Sequence, residues 1–194
     1  YDLAICSAHD LRGASLRKRV IDSVPYFDFV FMCPPCTTAC IANWPPLRTV
    51  TEPYGVSSLT NAQRAVVKDA NKLYTLCGDV ARACNTHRVG FAIESAASRR
   101  VGPVRCRWPR FASNGFLWDF PAIATLPDVV YKCFAQCAFG AEYQKYTGYI
   151  CDNVSAPAFA RVFDHAQCEC TSHAVRLQGY DDTGVSRTSA AAAY

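Results

Sequence analysis

The sequence predicts an α/β domain built on a mainly parallel sheet, and three observations carry the prediction. Short apolar runs of strand character alternate with amphipathic stretches of helical period. The order strand, helix, strand recurs, as it does where crossovers join parallel strands. The composition, 51% hydrophobic and 19% charged over 194 residues, supplies one core and excludes a long disordered tail. No stretch approaches the roughly 18 consecutive apolar residues of a membrane span, so no membrane partner is expected.

Tyr1 to Cys6 alternates as a strand does, and Leu11 to Val24 carries Leu11, Leu16, Val20, Ile21 and Val24 at helical spacing. The charges of that helix, Arg12, Arg17, Lys18 and Arg19, read as a solvated face. Phe27 to Met32 is an aromatic, β-prone run that Pro34-Pro35 stops. After a Pro-rich loop, Thr60 or Asn61 caps a long helix. Val66, Ala70, Leu73, Cys77, Val80, Ala81 and Cys84 follow at spacings of three and four, with an end near His87 to Gly90; Tyr74 and Leu76 on this helix read as packing residues. Val89 to Ile93 is the next strand and runs straight into Glu94. Pro127 to Phe134 and Thr147 to Cys151 are two later strands close enough to pair. Ala156 to His165 reads as a short helix, and Ala-rich Thr188 to Tyr194 as the beginning of another.

The twelve cysteines do not read as a disulfide framework. Cys6, Cys77, Cys84 and Cys133 lie in apolar, periodic segments, where a free thiol behaves as a small hydrophobe. A reducing, intracellular setting, nuclear or cytoplasmic, is expected. The chain opens on Tyr1, its only methionine is Met32, and nothing reads as a signal peptide, so it looks like a piece of something longer.

The sharpest local feature is Phe31-Met32-Cys33-Pro34-Pro35-Cys36-Thr37-Thr38. The prolines end the strand and project Cys36 into the crevice at its carboxyl edge, where a nucleophile belongs. Amide groups of a following turn, or Arg48 if the loop folds back, would favour a thiolate there. The next strand brings Glu94 to the same edge, so one thiol and one acid form a nucleophile and acid pair. A buried structural cysteine and a helix-capping carboxylate are the plainer readings of the same two residues.

Further along stand Pro45-Pro46-Leu47-Arg48, Glu94-Ser95-Ala96 and Leu117-Trp118. Then come Cys137-Ala138-Phe139-Gly140-Ala141-Glu142-Tyr143-Gln144-Lys145-Tyr146-Thr147, His173 to Gly179, and Arg187-Thr188 leading to Tyr194. With the Pro-Pro-Cys-Thr-Thr run, this ordered set resembles the DNA cytosine-5 methyltransferases, and more closely a divergent branch found in mobile-element or polyprotein contexts of microbial eukaryotes. The resemblance spans nearly the whole chain. It implies a three-layer, Rossmann-like methyltransferase sheet, mainly parallel, with a C-terminal β-hairpin and without the first strands: one partial catalytic domain over residues 1–194, carrying a basic inserted loop at 98–114.

By the same resemblance Cys36 adds to C6 of a flipped cytosine and Glu94 engages N3 and the neighbouring amine. The base then takes a methyl group at C5 from S-adenosylmethionine. Pro35, Thr37, Lys145 and Thr147 would bind the substrate, and DNA is the expected partner. Ser95 and Ala96 replace the asparagine and proline of the family, and Gln144 stands where the branch has arginine. The ten glycines form no Gly-x-Gly pair, so the cofactor turn is absent, the cofactor residues are not assigned, and this chain alone is expected not to methylate DNA. The alternative is a non-catalytic remnant of the fold, serving as a structural or nucleic-acid-binding module of a larger polyprotein.

Two other clusters invite chemistry. Arg99, Arg100, Arg105, Arg107 and Arg110 around Trp108 and Phe111 could track a nucleic-acid backbone, though a solvated basic loop suits a net charge of +4 equally. Cys168, Cys170 and His173 offer three ligands in six residues. A closed zinc site needs four, and the spacing is not that of a finger pair, so free thiols and no metal are expected.

Overall fold

In the computed structural model, residues 10–98, 112–175 and 177 are described. The strand expected at Tyr1 to Cys6, the basic residues 99–111 and the helix expected at Thr188 to Tyr194 lie outside them. Helix α1 (Ala14–Ser23) is followed by a single 3-10 turn and then strand β1 (Phe29–Met32). The long helix α2 (Asn61–His87) leads to β2 (Gly90–Ala96), a short α3 (Pro121–Ala124), β3 (Val129–Ala135), β4 (Tyr146–Asp152) and α4 (Ala156–Phe163).

Helix α2 starts where the sequence places it. Thr60 and Gln63 form a reciprocal capping box that satisfies two otherwise orphaned backbone N–H groups. The helix ends at Arg88, which takes the left-handed conformation with φ 59°. One stripe of the helix, including Val67, Ala70, Tyr74, Cys77, Val80, Ala81 and Cys84, is buried. Full burial of such a side chain contributes about 1.5–3 kcal/mol for the larger ones. Gly78 lets α3 approach, since a Cβ there would lie 2.5 Å from the Ala122 carbonyl oxygen.

The four strands form one mixed sheet in the order β1-β2-β4-β3. Only β1 and β2 pair in parallel, and β4 is antiparallel to both β2 and β3. Among the described residues the expectation of a mainly parallel sheet therefore does not hold for the hydrogen-bonded pairs. The physical reason is the hairpin: β4 turns back from β3 and inserts between β3 and β2, so every ladder it makes is antiparallel. Strands β1, β2 and β3 still point the same way, and their carboxyl ends share one edge with the amino end of β4. The two late strands pair as expected, with Cys133 opposite Gly148 and Ala135 opposite Tyr146.

The sheet is covered on both faces. Val30, Met32, Phe91, Ile93 and Ile150 face α1, α2 and α3, where Tyr74, Leu117, Phe120 and Ile123 complete the main core. Ala92, Tyr149 and Cys151 face α4 through Phe159 and Phe163. Asp152 closes β4 by accepting hydrogen bonds from Phe91 N (2.7 Å), Val154 N (2.9 Å) and Ser155 N (2.8 Å), which ties β2 to the start of α4.

Candidate functional site

Strand β2 extends past the end expected at Ile93, because β4 continues to pair with it through Glu94↔Tyr149, Ser95↔Gly148 and Ala96↔Thr147. Glu94 is thus inside the strand, two residues from its end, rather than in the loop after it. Its side chain shares the α4 face of the sheet with Ala92, but lies nearer the carboxyl edge. The parallel register Met32↔Ile93 brings Cys33, the next residue after β1, alongside Glu94. The Cys33 thiol hydrogen-bonds the Glu94 carboxylate; burial of the sulfur and then that charge push the thiol up to about 12.

Cys36 sits three residues further along, on a loop held from beneath. Tyr74 Oη donates to the Pro35 carbonyl (2.7 Å) and is 3.2 Å from Thr38 Oγ1. Arg48, only 1% exposed, donates to Thr38 O (3.0 Å), Thr38 Oγ1 (2.8 Å), Asn71 Oδ1 (2.9 Å) and Pro53 O (2.5 Å), with its guanidinium 5.0 Å from the centre of the Tyr74 ring. Ala39 N donates to Cys36 O (2.9 Å), and the Asn43 side-chain amide donates to Thr37 O. The loop after the prolines is thereby fixed from Pro35 to Ala39. Arg48 does fold back, but onto Thr38, so it builds the loop and is not the cation that faces Cys36.

That cation is Lys145. Burial raises the Cys36 thiol above its ordinary value, the Lys145 charge lowers it, and the Glu94 charge raises it. Three of the residues singled out in the sequence, Cys36, Glu94 and Lys145, therefore meet electrostatically at the shared strand edge. Cys40 joins them: burial and then Cys36 push its thiol to about 11, against a small opposing pull from Lys145. Pro35 and Thr37 are exposed on the loop. Thr147 is buried, and its hydroxyl accepts from Gln136 Nε2 (2.9 Å). Sequence reasoning missed Cys33 as a partner of Glu94, because that pairing needs the β1–β2 register. Its signal was only the position of Cys33 one residue past a strand.

A groove of about 940 Å³ runs along the outer side of β1 between α1 and α2, and Cys33, Pro34, Pro35 and Thr37 line one end of it. A cofactor such as S-adenosylmethionine needs a close backbone approach at glycine and a carboxylate for its ribose hydroxyls. No glycine lines this groove among the described residues. Its two carboxylates are already engaged, Asp10 by Arg12 (2.7 Å) and Asp69 by Lys72 (2.8 Å) and Arg12 (3.3 Å). These residues do not fit that cofactor.

The second constellation stands at the far end of the same strand edge. A 3-10 turn, Gln136–Phe139, follows β3 and carries Cys137. The segment after α4 brings Cys168, Cys170 and His173 back to it, so that one ligand atom from each of the four residues lies within 4.8 Å of all the others. The sequence predicts free thiols and no metal; among the described residues the fold gathers four ligand atoms that could hold an ion. The fourth ligand comes from a turn thirty-one positions before Cys168, which no local spacing reveals. Burial, then the hydrogen bonds that the Cys137 thiol donates to Cys168 and Cys170, push it up to about 12. Cys168 is lowered: burial opposes, but the Gln144 amide and the Cys170 backbone prevail. All ten described cysteines are unpaired by disulfides.

No helix among the described residues is long and apolar enough to cross a membrane. Compared with known proteins, the chain matches no family model, no curated protein and no solved structure.

Proposed function

We propose that this chain is the base-addressing part of a DNA cytosine-5 methyltransferase-like domain, working in an intracellular setting. The observation that carries the reading is the meeting of Cys36, Glu94 and Lys145 at one strand edge, on a loop that Arg48 and Tyr74 hold rigid. The hairpin of β3 and β4 and the helix layers on both faces of the sheet support it as well.

In this reading a cytosine leaves its duplex and places C6 over Cys36 Sγ. The thiol gives up its proton to solvent and Glu94 takes one up from solvent as the base enters; the S–C6 bond then forms, and the C5=C6 π pair moves into the ring as N3 takes that proton from Glu94. The proton on N3 offsets the charge that would otherwise build on the ring. Lys145 favours the thiolate before the addition and sits where a DNA phosphate or the base carbonyl could meet it. Pro35 and Thr37, exposed beside the thiol, would touch the base. Methyl transfer from S-adenosylmethionine is the step the resemblance adds. No part of it is assigned to the described residues.

The test is covalent capture by a DNA duplex carrying 2-pyrimidinone in place of one cytosine, a base that accepts a thiol at C6 without a methyl donor. The expected result is an adduct on Cys36 that Cys36→Ala abolishes and Glu94→Gln weakens. Capture that survives Cys36→Ala would overturn the assignment. DNA binding with no adduct at any pH would instead support the non-catalytic module.

A further inference from the structure

The geometry points to a structural zinc site formed by Cys137, Cys168, Cys170 and His173, which staples the segment after α4 to the turn after β3. Three sulfurs and one imidazole nitrogen make a closed set of the kind that holds zinc in a tetrahedron and leaves no position open for substrate. With Zn–S near 2.3 Å and Zn–N near 2.0 Å, a tetrahedron separates sulfur from nitrogen by roughly 3.5 Å. Cys168 Sγ and His173 Nε2 stand 3.5 Å apart. All four donor atoms lie within 4.8 Å of one another.

The surroundings argue for a ligand there independently of the distances. The chain from Asp164 to Val175 has no helix or strand, and Ala166 is its one residue with little exposure. An apolar core therefore does not hold it. Its backbone ties are few: Ala135 N to Ala166 O (2.7 Å) at one end and Val175 N to Glu142 O (3.0 Å) at the other. Between those ties the side chains of Cys168, Cys170 and His173 all turn toward Cys137. An irregular segment ordered by convergent soft ligands is what a structural metal accomplishes in small domains. Gln144 adds an outer contact, its Nε2 donating to Cys168 Sγ at 3.3 Å, as groups around a zinc thiolate do.

On binding, the three thiols enter as thiolates and give their protons to solvent, while His173 enters as the neutral ring. Mixed sulfur and nitrogen ligation in a tetrahedral site selects zinc over magnesium or calcium, which prefer oxygen. The site also reaches the Cys36 corner. Gln136, next to Cys137, donates through its backbone N to Lys145 O (2.9 Å) and through its side chain to Thr147. The metal thus fixes the turn whose Gln136 backbone N–H holds Lys145 O, just before β4. Neither the site nor its test depends on the methyltransferase reading.

The test is metal analysis of the whole chain, made with zinc in the medium, without a polyhistidine tag and under reducing conditions. The expected content is one zinc per chain. Titration of the metal-free protein with Co²⁺ should give the tetrahedral d–d bands and sulfur-to-metal charge-transfer band of a three-thiolate site. Cys137→Ser and His173→Ala should each lose the zinc and change that spectrum, whereas Cys133→Ser should keep both. A wild-type chain that is folded, reduced and free of zinc, with no tetrahedral cobalt spectrum, would overturn the site. So would zinc retained at full content by both Cys137→Ser and His173→Ala. The cobalt titration of the wild type stands even if a variant fails to fold.

Discussion

Two corners of one sheet edge are built by opposite means. At the Cys36 corner the chain is fixed by buried polar groups, with Arg48 and Tyr74 holding the loop through carbonyl oxygens and hydroxyls. At the Cys137 corner twelve residues lie outside regular structure, with few backbone ties, and the ligand side chains of Cys168, Cys170 and His173 converge on Cys137. The first corner is held by the protein's own hydrogen bonds. The second gathers four ligand atoms, and on the zinc reading proposed above its thiols would be spent on ordering the segment. On the two proposals above, cysteine in this chain has two jobs, and its neighbours decide which one a given residue has.

Removing metal should separate the corners most sharply. Chelation is expected to raise amide exchange at Ala135, Gln167 and Val175 by on the order of tenfold or more, while α2 amides such as those of Val80 and Ala81 stay protected. Equal protection with and without chelator would mean that the segment is held by other forces.

The next largest effect belongs to Arg48. Arg48→Met keeps much of the volume but leaves Thr38 O, Pro53 O and Asn71 Oδ1 without their donor. A loss of about 3 kcal/mol is expected from the urea midpoint, with zinc content unchanged. A variant as stable as the wild type would show that the loop needs no clamp.

A smaller, pH-dependent effect comes from Asp152. Burial alone would raise its carboxyl, but hydrogen bonds from Phe91, Ser155 and Val154 prevail and hold it below the ordinary value. Because the folded value is the lower one, its contribution is complete above the unfolded carboxyl range, near pH 4, and is lost as pH falls through the folded value. Asp152→Asn should cost about 2 kcal/mol at neutral pH and flatten the acid limb of the stability profile. An unchanged acid limb would contradict the linkage. Smallest of all, Lys18→Ala breaks the exposed pair with Asp22 (2.6 Å) and should change stability by about 0.5 kcal/mol or less in thermal unfolding.

What the sequence disclosed follows the same division. Helix α2 was legible from Thr60 to His87, because a capping box and a stripe of apolar residues are local signals. The late strands and the Pro-Pro-Cys loop were legible for the same reason. The insertion of β4 between β2 and β3 was not, since alternation identifies strands but carries no information on which neighbour each one takes. That insertion is also why Glu94 lies within a strand. The Cys137, Cys168, Cys170 and His173 cluster escaped because Cys137 stands on a turn far from Cys168 in sequence, and the two meet only after α4 has folded back across β3. Arg48 read as a loop cation, and only the fold reveals it as a buried clamp.

The central claim is that Cys36 lies under the opposed influence of Glu94 and Lys145, and the most direct measurement is its alkylation rate by iodoacetamide against pH. The rate should be read at Cys36 by fragment-resolved mass spectrometry in wild type, Glu94→Gln and Lys145→Met. Burial and the Glu94 charge hold the thiol protonated, so wild-type Cys36 should react slowly at neutral pH and faster only well into the alkaline range. Glu94→Gln removes a charge that opposes the thiolate and should move the profile to lower pH. Lys145→Met removes one that favours it and should move the profile to higher pH. Three superimposable profiles would contradict the account, because they would mean that neither charge reaches Cys36.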